Sequence, residues 1–247
     1  MRLTVVGSGD AFGSGGRSNT CFFLETAKAA LLVDCGASAL PALKARVIEP
    51  NRIDAIVLSH LHGDHFGGIP FLLLDGQFLS RREKPLLIAG PPGTRVRLDA
   101  ALEVFFPKST GSKWRFPWQV TEIAPGVETD VLGHSLVTAE VIHSSGAPST
   151  ALRLSDGRTV FSYSGDTEWT DALLPIAVDA DLFVCECYAF AGKLTGHMSW
   201  VILKARLPDL RARKIMATHM NPSVLAHLDE IAAAGVLVAA DGLEIEI

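Results

Sequence analysis

His60-Leu61-His62-Gly63-Asp64-His65 places four metal-competent side chains within six residues. It directly follows the apolar run Asp54-Ala55-Ile56-Val57-Leu58-Ser59, which reads as a buried strand. In an extended segment residues i and i+2 point to the same side, so His60 and His62 are placed to grip one ion. Once the chain turns at Gly63, Asp64 and His65 face elsewhere, towards a second ion. Imidazoles with a carboxylate suit zinc, manganese or iron better than calcium or magnesium, which prefer oxygen. A solvated loop collects an occasional histidine, but three with an aspartate behind a buried strand read as a metal site.

With 247 residues the chain has room for one large domain or two small ones. Apolar residues make up 48% of it, enough for a substantial core and too many for a disordered chain. A net charge of −5 argues against a broad electrostatic grip on nucleic acid or an anionic membrane. A local basic groove could still form, for instance around Lys108, Lys113 and Arg115. Cys21, Cys35, Cys185 and Cys187 contain no Cys-x-x-Cys pair and lie in strand-like apolar runs, so reduced, buried thiols are expected. The first residues enter a strand at once, and no apolar run is long enough to span a bilayer. A cytoplasmic protein without a membrane partner is the expectation.

Leu3 to Gly7 reads as a strand that breaks into the glycine- and serine-rich loop Ser8 to Ser18. Cys21 to Glu25 and Ala30 to Asp34 follow as strands, and Ala37 to Ala45 as a helix. Beyond the histidine motif, Gly67 to Leu79 is a dense apolar helical stretch. Pro85 to Ala89 reads as a strand, Gly90-Pro91-Pro92-Gly93 as a turn and Thr94 to Phe105 as a helix. Pro107 to Pro117 is irregular and rich in aromatics: a lid, a dimer contact or a simple cover for the core. Val120 to Phe161 reads as successive strands. Past Asp166 the chain alternates: helix Asp171 to Val178, strand Leu182 to Cys187, helix Ser199 to Leu207, strand Lys214 to Thr218, helix Ser223 to Ala234. No internal repeat and no linker is visible. One domain over residues 1–247, with helices outside two stacked sheets, is expected.

Three further candidates stand at strand ends: His143 after Leu136 to Ile142, Asp166 after Val160 to Gly165, and His219 after Ile215 to Thr218. Each alone is a weak signal, since such residues often only cap or brace a turn. With the first motif they supply seven ligands, enough for two ions with a shared carboxylate.

His-x-His-x-Asp-His, a distant His, an Asp in Ser164-Gly165-Asp166-Thr167 and a final His resemble the pattern of the metallo-β-lactamase superfamily, in order and over nearly the whole chain. The resemblance implies an α+β fold, a four-layered αβ/βα sandwich, with the site at the edge of the two sheets. It implies two divalent cations, zinc or manganese. His60, His62 and His143 would hold the first, and Asp64, His65 and His219 the second. Asp166 and a hydroxide would bridge them, and Asp64 would count among the catalytic residues as well. Asp34, in Val33-Asp34-Cys35-Gly36, matches the family's early aspartate, which hydrogen-bonds a ligand histidine and fixes its tautomer; the alternative is an aspartate that caps the following turn.

Within the superfamily, Gly7-Ser8-Gly9-Asp10-Ala11-Phe12 with Arg17-Ser18-Asn19-Thr20 is similar to the N-terminal loop of the ribonuclease Z group. Gly90-Pro91-Pro92-Gly93 is similar to that group's Gly-Pro turn. Cys185-Glu186-Cys187-Tyr188 and Gly196-His197-Met198-Ser199 occupy the places of its Glu- and His-containing motifs, although the flanking residues depart from the pattern. The resemblance implies that Glu186 orients His197, which then donates to a phosphoryl or leaving-group oxygen; the alternative is a helix cap near Trp200. Ribonuclease Z grips transfer RNA with an arm, inserted in its short form between the third histidine and the bridging aspartate. Only 22 residues separate His143 from Asp166, so that arm has no place and transfer RNA is not the expected substrate. The closer likeness is to armless relatives such as the phosphoribosyl cyclic phosphodiesterase. The expected function is a metal-dependent phosphodiesterase on a small, cyclic or nucleotide-like phosphodiester. A lactonase or other ester hydrolase on the same site is the enzymatic alternative, and a non-catalytic metal-bearing binding protein the other. A homodimer is expected by analogy with these relatives.

Overall fold

The computed structural model describes residues Met1–Ile247. Its apolar, β-branched N-terminal runs form an antiparallel meander of β1 (Arg2–Gly7), β2 (Cys21–Glu25) and β3 (Ala30–Val33). Parallel pairing then takes over, with β4 (Ala55–Val57), β5 (Leu86–Gly90) and β6 (Trp118–Glu122). The crossovers carry α1 (Ala39–Ala45), α2 (Gly63–Phe66), α3 (Ile69–Leu74) and α4 (Thr94–Phe105).

The second half repeats this plan. Strands β7 (Thr129–Val131), β8 (His134–Glu140), β9 (Thr150–Ser155) and β10 (Val160–Tyr163) pair antiparallel with one another in succession. Strands β11 (Leu182–Glu186), β12 (Ile215–Thr218) and β13 (Leu237–Val238) add on in parallel. Between them lie α5 (Leu173–Ala177), α6 (Trp200–Leu210), α7 (Pro222–Leu225) and α8 (Leu228–Ala233). Finally β14 (Glu244–Glu246) crosses back to pair with β1. Each sheet has seven strands, ordered β14-β1-β2-β3-β4-β5-β6 and β13-β12-β11-β10-β9-β8-β7.

Alternation along the strands builds three apolar layers. In β2, Phe22 and Leu24 face the opposite sheet, while Cys21 and Phe23 join Leu43, Leu72, Leu98 and Leu102 under the first set of helices. In β11, Leu182 and Val184 face inward, while Phe183 and Cys185 pack under Leu173, Leu203 and Ile231. Both sheets are therefore covered on both faces, which gives the expected αβ/βα sandwich. All four cysteines are free and buried. No helix is long and apolar enough to cross a membrane.

Several expected elements differ in extent. The apolar stretch Gly67 to Leu79 is α-helical over Ile69–Leu74 and continues over Asp75–Leu79 as a wider π-helix that leaves Phe78 and Leu79 exposed. The helix expected over Ser223 to Ala234 breaks into α7 and α8, because His227 takes a non-helical φ of −132°. The strand expected to end at Ile142 stops at Glu140, so His143 sits in the loop beyond β8. The short strands β13 and β14 were not anticipated. Within Pro107 to Pro117, Phe116 is buried and Trp114 packs on the first helical layer, so these two aromatics do cover the core.

Phe161 is fully buried between the sheets, its ring centroid 6.0 Å from that of Phe22. Phe161→Ala should destabilise the protein by about 3–5 kcal/mol, read as a lower urea midpoint with unchanged m-value. A shift worth under about 1 kcal/mol would mean that the inter-sheet layer closes over the cavity.

Candidate metal centre

Strands β1, β3 and β4 run in one direction in the first sheet, and β8, β10, β11 and β12 do so in the second. The loops leaving their carboxyl ends carry Ser8, Asp34, His60 and His62, then His143, Asp166 and His219, and Glu186 is the last residue of β11. Such ends are where open parallel sheets collect ligand-binding groups. Asp64 and His65 come from the single turn of α2, whose approach depends on a bare backbone beneath it. A Cβ on Gly36 would lie 1.9 Å from the Asp64 carbonyl oxygen.

Three overlapping groups of candidate ligand atoms result: His60, His62 and His143; Asp64, His65, Asp166 and His219; and His143, Asp166 and His197. Asp166 Oδ2 lies 3.3 Å from Nε2 of both His65 and His219, 3.8 Å from Nε2 of His60 and 3.9 Å from that of His143. It therefore stands between the first two groups. His65 Nε2 is also 3.2 Å from Asp64 Oδ2.

Four imidazoles are held from behind by their Nδ1 atoms. His65 donates to Asp34 Oδ2 at 2.7 Å and His143 to the Gly196 carbonyl at 2.7 Å. Ser59 Oγ gives its proton to Asp34, so it accepts from His60 at 3.0 Å. Thr20 Oγ1 gives its proton to the Gly9 carbonyl, so it accepts from His219 at 3.2 Å. Each contact leaves the Nε2 lone pair facing the cavity. His62 instead turns its Nδ1 inward, 2.9 Å from His143 Nε2. Asp34 thus braces a ligand candidate and Ser59 rather than capping its own turn.

Three buried atoms aimed into this space have no hydrogen-bond partner: His60 Nε2, His65 Nε2 and Asp166 Oδ1. Buried polar atoms are seldom left so. Nitrogen lone pairs grouped around carboxylates are a donor set suited to divalent transition-metal cations.

A family model described as Anti-Pycsar protein Apyc1 matches residues 1–240. The chain belongs to this family. The Apyc1-family chain is 29% identical over 230 residues to the probable metallo-hydrolase YhfI of Bacillus subtilis, covering 89% of this chain and 87% of YhfI. The YhfI crystal structure matches with a TM-score of 0.80 at 23% identity, over 99% of both chains. A ribonuclease Z of Mycobacterium sp. strain KMS is 27% identical over 249 residues, covering 96% of this chain and 82% of the enzyme. The human short-form tRNase Z structure matches with a TM-score of 0.80 at 22% identity, over 100% and 99% of the two chains. The family is therefore one of metal-dependent hydrolases with the metallo-β-lactamase fold, ribonuclease Z-like, as the resemblance implied.

Charge in the Apyc1-family site is arranged to suit a cation. Burial holds the pKa of His60 well below its usual value and likewise lowers His143 and His219, whereas for His65 burial is outweighed by the carboxylates of Asp166, Asp64 and Asp34, which raise it well above. Burial opposes ionisation of Asp166, but His219 and His65 outweigh it and hold the carboxyl well below the ordinary range. His197 and Glu186 meet beside this cluster, with Nδ1 3.1 Å from Oε2. The other Glu186 oxygen accepts from the Thr167 N–H. Ser199 stands at the start of α6, yet its hydroxyl makes no capping hydrogen bond, and the His197 ring points to Glu186 instead.

The structure brings together every site residue expected from the sequence. Thr20, Ser59 and Gly196, which brace ligand candidates, were not foreseen as such. Thr20 lay inside a recognised loop motif, but its spacing from His219 gave no cue. Asp34→Ala should weaken cation binding by about 10–100-fold through loss of the His65 brace. Calorimetric zinc titration checks this, and unchanged affinity would remove Asp34 from the site.

Proposed function

We propose that this chain is a dinuclear metal-dependent phosphodiesterase acting on a small phosphodiester, cyclic or nucleotide-like. The observation that carries this reading is the Glu186–His197 pair beside the His/Asp cluster. Carboxylic ester or lactone hydrolysis at the same centre has no need of a second, oriented imidazole. A phosphodiester, with charged non-bridging oxygens and an alkoxide to expel, uses one directly.

His60, His62 and His143 would hold one cation, Asp64, His65 and His219 the other, and Asp166 both; zinc and manganese each suit these donors. Bound there, two divalent cations supply charge neutralisation for the phosphoryl group and a lowered pKa for water. The chain's own residues do the rest. Asp34, Ser59, Thr20 and the Gly196 carbonyl keep the imidazoles aimed. Glu186 holds His197 by its Nδ1–H and favours the imidazolium, whose Nε2–H then faces the site and gives its proton to a phosphoryl or leaving-group oxygen. The interval between His143 and Asp166 is filled by β9 and β10. With the acidic net charge, that compact interval supports a small substrate over transfer RNA.

Turnover of bis(p-nitrophenyl) phosphate by zinc- and manganese-loaded protein, beside a simple lactone and a p-nitrophenyl carboxylic ester, tests the reading. Phosphodiester cleavage should dominate and fall by about 10²–10⁴ in kcat in His197→Ala with metal content intact. Preference for the lactone or ester would overturn the choice of substrate.

Burial alone would lower the His197 pKa, but the hydrogen bond and charge of Glu186 outweigh it and raise the pKa above its usual value. Burial, then the like charge of Asp166, pushes Glu186 up to about 8. Both shifts describe one proton retained by the pair. The acid form is present below the raised pKa and is lost as pH rises through it. Glu186→Gln removes the raising charge, so the alkaline fall of kcat should move to lower pH at equal metal loading. An unmoved limb would exclude His197 as the titrating acid.

A further inference from the structure

Gly196 immediately precedes His197 in the loop between β11 and α6, and its backbone has a φ of +81°. Both of its polar groups are engaged. The N–H donates to Glu168 Oε1 at 3.0 Å, and the carbonyl accepts from His143 Nδ1 at 2.7 Å. A Cβ at this position would lie 3.1 Å from His143 Nδ1, so the approach relies on a glycine as much as the positive φ does. Glu168 is itself anchored two residues beyond Asp166, where its N–H donates to the Ile142 carbonyl at 3.1 Å.

We propose that Glu168 is a positioning residue for this centre: by pinning the Gly196 backbone it sets both the His143 ring and the His197 loop. His65 has a carboxylate directly behind it, whereas His143 reaches one only through Gly196. The same residue is covalently next to His197, so a single anchor governs one ligand candidate and the proton-bearing imidazole. Displacements of about 0.5 Å already degrade a site of this kind. What Glu168 provides is an acceptor atom at a fixed reach rather than a charge. Lys193 Nζ lies 3.9 Å from its other oxygen and is 84% exposed, so that ion pair is screened by solvent.

The inference rests on the metal-centre reading above, and the test keeps the two apart. Zinc affinity by calorimetry, kcat on bis(p-nitrophenyl) phosphate and the hydrogen-bonded His143 Nδ1–H proton resonance of the zinc-loaded protein are measured together. The variants are Glu168→Ala, Glu168→Asp, Glu168→Gln and Lys193→Ala. Alanine, and aspartate with its charge but shorter reach, should weaken one of the two zinc sites by about 10–100-fold, lower kcat and shift or broaden the resonance. Glutamine keeps the acceptor and should restore all three, and Lys193→Ala should change none. Should alanine fail to fold, the contrast between aspartate and glutamine decides. Glutamine failing while aspartate matches wild type would overturn the inference, because charge would then be the requirement. Variants that all match wild type would overturn it too. Wild-type protein that binds no zinc would instead remove the metal-centre reading beneath it.

Discussion

One buried carboxylate organises the rim of the first sheet. Asp34 leaves β3 with a φ of +58°, a conformation that few non-glycine residues adopt. Its N–H donates to the Val57 carbonyl, Oδ1 accepts from the Ser59 N–H, and Oδ2 accepts from both Ser59 Oγ and His65 Nδ1. The ends of β3 and β4 and the turn of α2 are thus joined through one side chain. A fully buried carboxylate is tolerated only when its acceptor positions are filled this thoroughly. The arrangement explains why the histidine motif follows a short parallel strand, since β4 needs only to deliver Ser59 and His60 to this anchor.

The second sheet contributes by a looser route. His143 and Asp166 each stand three residues past their strands, β8 and β10, and His143 is held by the backbone of another loop, whereas His219 stands immediately past β12. His219 also has a positive φ, +58°, and its N–H donates to the Ser8 carbonyl at 3.1 Å. Ser8 follows β1 of the first sheet, and Asp241 accepts from both its N–H and its hydroxyl. The seam between the sheets is therefore stitched by backbone as well as by the His/Asp cluster. Asp166, reached by nitrogens from both sheets, sits at its centre.

What could be read in the sequence follows from how scarce each residue type is. Histidines rarely gather, so His60, His62 and His65 were plain, and ends of apolar runs marked His143, Asp166 and His219. Glu186 and His197 are 11 residues apart, with no periodicity to link them; only likeness to a family joined them. Thr20, Ser59 and Glu168 belong to types that serve countless turns and surfaces; Thr20 meets His219 far along the chain, Glu168 meets a backbone N–H, and Ser59 braces its own neighbour His60. Strands β13 and β14 have two and three residues, too few for an alternation to register. The shared topology of the two halves left no trace either. Apolar layers ask only for alternating burial, which many unrelated sequences satisfy.

The buried thiols bear on how this protein opens. Cys21 and Cys35 lie under the helices of the first half, and Cys185 and Cys187 under those of the second. Burial raises the pKa of all four, so none offers a reactive thiolate while the layers are closed. The chain thus carries two pairs of native reporters of breathing, one pair per outer layer. Their rates of alkylation would distinguish a molecule whose halves come apart together from one in which a single flank loosens first.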